Sequence, residues 1–197
     1  MIPILILAAG TSSRMGYRDK LLEPVDGVPQ LRRLAHAALT LGGGVFVALP
    51  SDDHPRANAI DDLDVTVLVV PEAAEGMGGT MRGAVAQLPT WDQFMMLLGD
   101  LVEIGADDMR KVAEAARAHP DAPIVRGATQ GGKAGHPVVF HKNVRGGFAN
   151  LAGDNGGEDL VRPFISQTIL VALPENVARL DLDTPEDWAS WRAETGR

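Results

Sequence analysis

The sequence predicts an α/β fold of the Rossmann-like, three-layer kind, a doubly wound and mostly parallel sheet with helices on both faces. Three observations carry this prediction. Short apolar runs rich in β-branched residues recur along the chain. Helical stretches with one apolar face lie between several of them. The two alternate through the first two thirds of the sequence, the order that builds parallel sheets and places ligands at the carboxyl ends of the strands.

The runs that read as core strands cover residues 2–7, 45–49, 65–70, 94–98, 137–140 and 168–173. The first, within MIPILILAAG, is too short to span a bilayer and lacks the positive segment of a signal peptide, so it reads as a buried strand. Leu31, Leu34, Ala35, Ala38 and Leu39 recur at the spacing of one buried helical face, as do Met81, Ala84, Val85 and Leu88, and Met109, Val112, Ala113 and Ala116. A last helix is expected from near Pro185, with Thr184 placed to cap it and proline at its first position. Residues 127–135, GATQGGKAG, form the most glycine-rich stretch and read as a mobile connection, with less regular chain after it. No long linker or repeat interrupts the pattern, so residues 1–197 are expected to form one domain.

Composition narrows the function. The formal net charge of −8 argues against nucleic acid or an anionic membrane surface as the main partner, because either needs a broad basic face. The chain has no cysteine, which excludes disulfides, thiolate metal sites and cysteine nucleophiles, and a cytoplasmic location is the simplest reading.

Residues 7–16, LAAGTSSRMG, leave the first strand as a loop of small residues. Gly10 and Gly16 do not give GxGxxG, and Tyr17 follows where a P-loop has lysine. Small residues still let backbone N–H groups approach a phosphate, and Arg14 and Lys20 add charge. The alternative is a turn with both cations in solvent. Asp100 follows the run 94–98 and belongs at a strand's carboxyl end; Asp183 precedes the last helix. Each is suited to a metal ion, but on these residues alone the plainer readings are favoured, a loop aspartate capping the next helix for Asp100 and an exposed residue at a helix N-terminus for Asp183. His136 reads as either a structural histidine or a substrate contact, while Met95, Met96, Trp188 and Trp191 read as packing residues.

LAAGTSSRMG with Lys20 resembles the LAAGxSxRMG…K signature of the MobA-like nucleotidyltransferases, most closely the branch of molybdenum cofactor cytidylyltransferases. GMGGTMRGAV (76–85), GKAGHPVVF (132–140), LAGDNGG (151–157) and LDLDTPEDW (180–188) resemble further stretches of that family, in the same order. The resemblance implies transfer of a nucleoside monophosphate from an NTP, CTP in this branch, to a phosphorylated acceptor, here molybdopterin, with release of pyrophosphate. A molybdoenzyme would receive the product. It implies Mg²⁺ held by Asp100 and Asp183, with Asp181 as a weaker alternative ligand, and catalytic roles for Arg14, Lys20 and Asp100. Nucleotide contacts fall to Leu7, Ala8, Ala9, Gly10, Ser12, Ser13, Arg14, Lys20, Met77, Gly78 and Thr80, and acceptor contacts to Gly135, His136 and Asp154. Ala9 stands where guanylyl-transferring members usually carry glycine. Three departures are visible. Tyr17, Arg18 and Asp19 separate RMG from the lysine where the family has two residues; LVEI follows Asp100; and Gly157, Glu158 and Asp159 stand where the family has an arginine. A guanylyltransferase, a sugar- or polyol-phosphate nucleotidyltransferase, and a non-catalytic nucleotide-binding or cofactor-chaperone module therefore remain alternatives.

Overall fold

A computed structural model describes residues 1–154 and 156–197; Asn155, within the LAGDNGG stretch, lies outside the described residues. In chain order the elements are β1 (Ile4–Leu7), β2 (Pro24–Val25), β3 (Val28–Pro29), α1 (Gln30–Leu39), β4 (Val45–Leu49), α2 (Pro55–Asn58), β5 (Thr66–Val69) and α3 (Met77–Gln87). They continue with β6 (Gln93–Leu98), α4 (Ala106–Ala118), β7 (Ile124–Ala128), β8 (Ala134–His141), α5 (Lys142–Arg145), α6 (Glu158–Val161), β9 (Ile169–Ala172) and α7 (Pro185–Thr195).

Seven strands form one sheet in the order β5-β4-β1-β6-β8-β7-β9, and β2 and β3 pair as a separate ribbon. β8 runs antiparallel to both its neighbours, while β1 pairs in parallel with β4 and β6, β4 with β5, and β7 with β9. The sheet is thus mostly parallel, as predicted.

Successive strand side chains point to opposite faces, and the core divides accordingly. Ile4, Ile6, Val45, Val47, Met95 and Leu97 pack with α1 and α4 on one face. Leu5, Leu7, Phe94, Met96, Val138 and Phe140 pack with α3 and the short helices after β8 on the other. A third cluster seats Trp188 and Trp191 of α7 against Met15 and Val102, next to the loops that leave the sheet.

Two features depart from the sequence expectations. β7 was not among the predicted strands: IVRGA offers only two β-branched residues before a charge and a glycine, and its strand character comes from pairing with β8 and β9. The glycine-rich stretch 127–135 starts in the end of β7 and finishes in the start of β8, joined across 129–133 by a tight turn in which the Thr129 N–H donates to the Lys133 carbonyl at 2.9 Å.

Candidate active site

Register decides which loops meet. Leu7 of β1 pairs with Leu98 of β6, so the chain leaves both strands at the same level of the sheet's carboxyl edge. Asp100 lies just beyond β6. An isolated antiparallel bridge between Leu101 and Asp181 draws the segment before α7 alongside it. Thr184 caps α7 in a capping box: its hydroxyl accepts from Asp187 N–H at 3.1 Å, and the Asp187 carboxylate accepts the N–H groups of Thr184 (2.8 Å) and Asp183 (3.2 Å). The cap therefore orients Asp183 as well as starting the helix.

Carboxylate oxygens of Asp100, Asp181 and Asp183 consequently lie within 4.8 Å of one another. Lys20 Nζ donates to Asp100 Oδ2 at 2.5 Å and to Asp183 Oδ1 at 2.8 Å, and Arg14 Nη1 lies 2.7 Å from Asp183 Oδ2. Burial works against the Lys20 charge, yet the two aspartates outweigh it and raise its pKa. Burial, with the neighbouring Asp100 and Asp183 charges, raises that of Asp181. Asp100 Oδ1 is buried and has no hydrogen-bond partner among the described residues. A buried carboxylate oxygen without a partner, inside a cluster of three hard oxygen donors, fits a divalent cation.

The loop after β1 faces this cluster. Ala8 and Ala9 are buried, Ser12 takes a left-handed conformation (φ 52°), and Ser13–Met15 form a 3-10 turn. Among the described residues no acceptor meets the backbone N–H groups of Gly10, Thr11, Ser12 and Ser13. The loop is held from behind by Arg56 of α2, which is 1% exposed. Its guanidinium donates to Asp19 Oδ2 (2.7 Å) and Oδ1 (2.8 Å), to the Ala8 carbonyl (2.5 Å) and to Ser12 Oγ (2.9 Å). Burial would raise the Asp19 pKa, but the Arg56 pairing lowers it below the ordinary carboxylate value. Arg18 instead approaches Glu23 at 3.4 Å, so of the two cations around Asp19 it is Lys20 that reaches the carboxylate cluster.

Opposite the loop, α3 begins at Met77. A methyl group on Gly76 would meet Asp154 Oδ1 at 2.2 Å, and Gly78 N–H donates to the Gly153 carbonyl at 2.7 Å, so the 151–154 turn is packed onto the helix start. Thr80 is buried, with its hydroxyl donating to the Gly76 carbonyl at 3.0 Å. Its side chain braces the loop. Met77 lines a cavity of about 540 Å³ that also takes in Leu98, Arg126, His136 and Arg179. His136 is half-buried, and burial followed by the Arg126 charge pushes its pKa down to about 4, so it is neutral at ordinary pH. Gly135 is buried behind it; any side chain there would strike the Ala178 carbonyl at 2.2 Å.

Residues 4–173 match the model of the MobA-like NTP transferase domain. The chain belongs to the MobA-like NTP transferase family. Its sheet is that of a nucleotidyltransferase domain. The bifunctional protein GlmU of Burkholderia thailandensis is 31% identical over 114 residues, which are 57% of this chain and 25% of that protein. The chain thus spans about a quarter of that relative's length. The crystal structure of Rv0371c from Mycobacterium tuberculosis superposes with a TM-score of 0.77 at 26% identity, covering 96% of each chain. A structure of Rv0371c in complex with manganese gives 0.78 at the same identity and coverage. No helix among the described residues is long and apolar enough to cross a membrane.

Of the residues singled out from sequence, Arg14, Lys20, Asp100 and Asp183 meet directly, with Asp181 beside them. His136 and Met77 share the neighbouring cavity. Arg56, Arg126 and Arg179 escaped sequence reasoning. An arginine in a four-residue helix or a weak strand carries no periodic signal, although Arg56 stands out afterwards as a buried charge.

Proposed function

We propose that this MobA-like domain, acting as one unit over residues 1–197, transfers a nucleoside monophosphate from CTP to a phosphorylated small molecule, molybdopterin being the acceptor the family resemblance favours. The observation that carries this reading is the convergence of two cations from the glycine- and serine-rich loop, Arg14 and Lys20, on aspartates from two distant segments, one with a buried, unpartnered oxygen.

Asp100 and Asp183 would hold a divalent cation, Mg²⁺ in this proposal, with Asp181 adjacent; the manganese complex of Rv0371c supports a divalent ion in this fold. Bound there, such an ion neutralises charge on the triphosphate. The chain's own groups do the rest. The N–H groups of Gly10 to Ser13 cradle the phosphates, and Leu7, Ala8 and Ala9 form the wall beside the base. Arg14 and Lys20 swing onto the β- and γ-phosphates, where Lys20, its pKa raised, stays protonated. Met77 and Gly78 approach the nucleotide from α3, while Gly135, His136 and Asp154 flank the acceptor. An oxygen of the acceptor phosphate bonds to the α-phosphorus, the bond from that phosphorus to the bridging oxygen breaks, and pyrophosphate leaves with the electron pair. No general base is required, because a phosphate monoester with a second pKa of about 6 is largely dianionic at neutral pH.

Ala9 underlies the choice of CTP. It is buried at the end of β1, where its methyl group narrows the wall against a purine, an effect of roughly 1–3 kcal/mol. Pyrophosphate release measured over four NTPs and a panel of phosphorylated acceptors tests the reading. Release with CTP and an acceptor is expected, with kcat/KM for CTP above that for GTP. A ratio at or below unity excludes the cytidylyl assignment, and nucleotide binding without any release favours a binding module.

A further inference from the structure

Two guanidinium groups share the wall of the 540 Å³ cavity without a carboxylate to neutralise them. Arg126 projects from β7 and donates through Nε to the Gly135 carbonyl at 2.9 Å; Arg179 donates through Nη1 to the Ala134 carbonyl at 2.7 Å. Each anchor uses one of an arginine's five donors. Among the described residues neither forms an ion pair. Glu158 lines the same cavity but comes within ion-pair distance of neither, and Arg162 at its edge is already paired with Asp159 at 2.7 Å. Burial, then the Arg179 charge, lowers the Arg126 pKa. The neutral imidazole of His136 adds no counter-charge. Holding the half-buried Arg126 charge beside the anchored, exposed Arg179 charge is unfavourable unless an anion sits against them.

The rest of the wall is apolar. Met81, Met96, Val138 and Phe140 supply buried surface, and Ile165, 65% exposed, stands at the rim. Leu98 also lines the cavity and Asp100 follows two residues later, which places this wall next to the carboxylate cluster. We infer that the cavity seats the second substrate as an organic phosphate, its anionic group on Arg126 and Arg179 and its apolar body against Met81, Met96 and Phe140. This rests on the transferase reading above and adds the residues that select the acceptor.

Calorimetry on the full chain tests it with p-nitrophenyl phosphate as probe and 4-nitrophenol and inorganic phosphate as its two halves. The probe should bind more tightly than either half. Arg126→Met and Arg179→Met, which keep length and remove charge, should each weaken it roughly tenfold or more, the scale of a lost charge-assisted hydrogen bond. Affinity for CTP with Mn²⁺, measured on the same variants, should stay within about twofold, well inside one tenfold step of binding energy. Arg179 is exposed, so Arg179→Met decides the matter if Arg126→Met does not fold. Unchanged probe binding in the variants, equal binding of 4-nitrophenol, or a parallel loss of CTP affinity overturns the inference. Arginine-dependent probe binding by a chain that binds no nucleotide sustains the cavity assignment and removes the transferase reading instead.

Discussion

Lys20 stands where a metal ion would compete with it. Its ammonium group occupies oxygens of Asp100 and Asp183, and its side chain is only 17% exposed. Lys20→Met should therefore bind Mn²⁺ alone more tightly than the wild type, as titration calorimetry would register, yet lose about 2–4 kcal/mol of transition-state stabilisation in kcat/KM. If Arg18→Met loses the activity and Lys20→Met keeps it, the triphosphate role belongs to the other cation. Asp100→Asn and Asp183→Asn each remove a charged ligand at nearly constant shape, so turnover and Mn²⁺ affinity should fall while the chain still folds; wild-type turnover at limiting metal would exclude the ligand set. His136 gives a prediction in pH. Its folded pKa of about 4 lies below the unfolded value near 6.5, so the unfolded chain takes up the proton first as pH falls. The contribution is complete above pH ~6.5 and is lost toward pH ~4, at no more than about 1.4 kcal/mol per pH unit. Denaturation of His136→Gln over that window should show a flatter acid limb than the wild type.

At the scale of elements, α2 and α7 exist to hold loops. Arg56 carries the buried charge that ties α2 to the loop after β1 through Ala8, Ser12 and Asp19. Arg56→Met leaves the half-buried Asp19 carboxylate without its counter-charge, with only the Ser12 hydroxyl and the Leu21 N–H still donating to it, and should cost roughly 3–5 kcal/mol of stability. Adding Asp19→Asn should recover part of that loss in a denaturation-based double-mutant cycle, whereas strict additivity would mean that the pair does not act as a clamp. Thr184 has the smaller task of capping α7. Thr184→Ala should cost about 1 kcal/mol of stability, and it should also raise the KM for metal, since the same cap orients Asp183.

At the scale of the whole molecule, a site built from loops at one sheet edge is completed by its ligands. Asp100, Asp183 and the β1 loop come from three distant parts of the chain, and the like charges of Asp100, Asp181 and Asp183 oppose one another where they meet. A single ligand at a hundred times its Kd adds about 2.7 kcal/mol of stability, and CTP and Mn²⁺ together should raise stability, read as Tm, by more than the sum of what each adds alone. A purely additive rise would separate the metal site from the nucleotide site.

Local chemistry was legible in the sequence alone. The alternation of β-branched runs with helical faces prescribed a mostly parallel sheet, the proline and threonine before Glu186 prescribed the start of α7, and the small residues of LAAGTSSRMG prescribed a loop. These depend on periodicity and backbone preference, which each short segment carries within itself. Only the tertiary structure decided that β8 runs against its neighbours, that IVRGA is a strand, and that the glycine-rich stretch 127–135 is a hairpin end, because strand pairing is settled between segments far apart in sequence. It brought Lys20, the cation already singled out from the sequence, onto the aspartates and set Arg18 against Glu23. It also buried Arg56 under the loop and left Arg126 and Arg179 facing a cavity without counter-charge. A charged side chain has the same composition and spacing whether it ends in water, in a clamp or in a binding wall; its partners, supplied by the fold, make the difference.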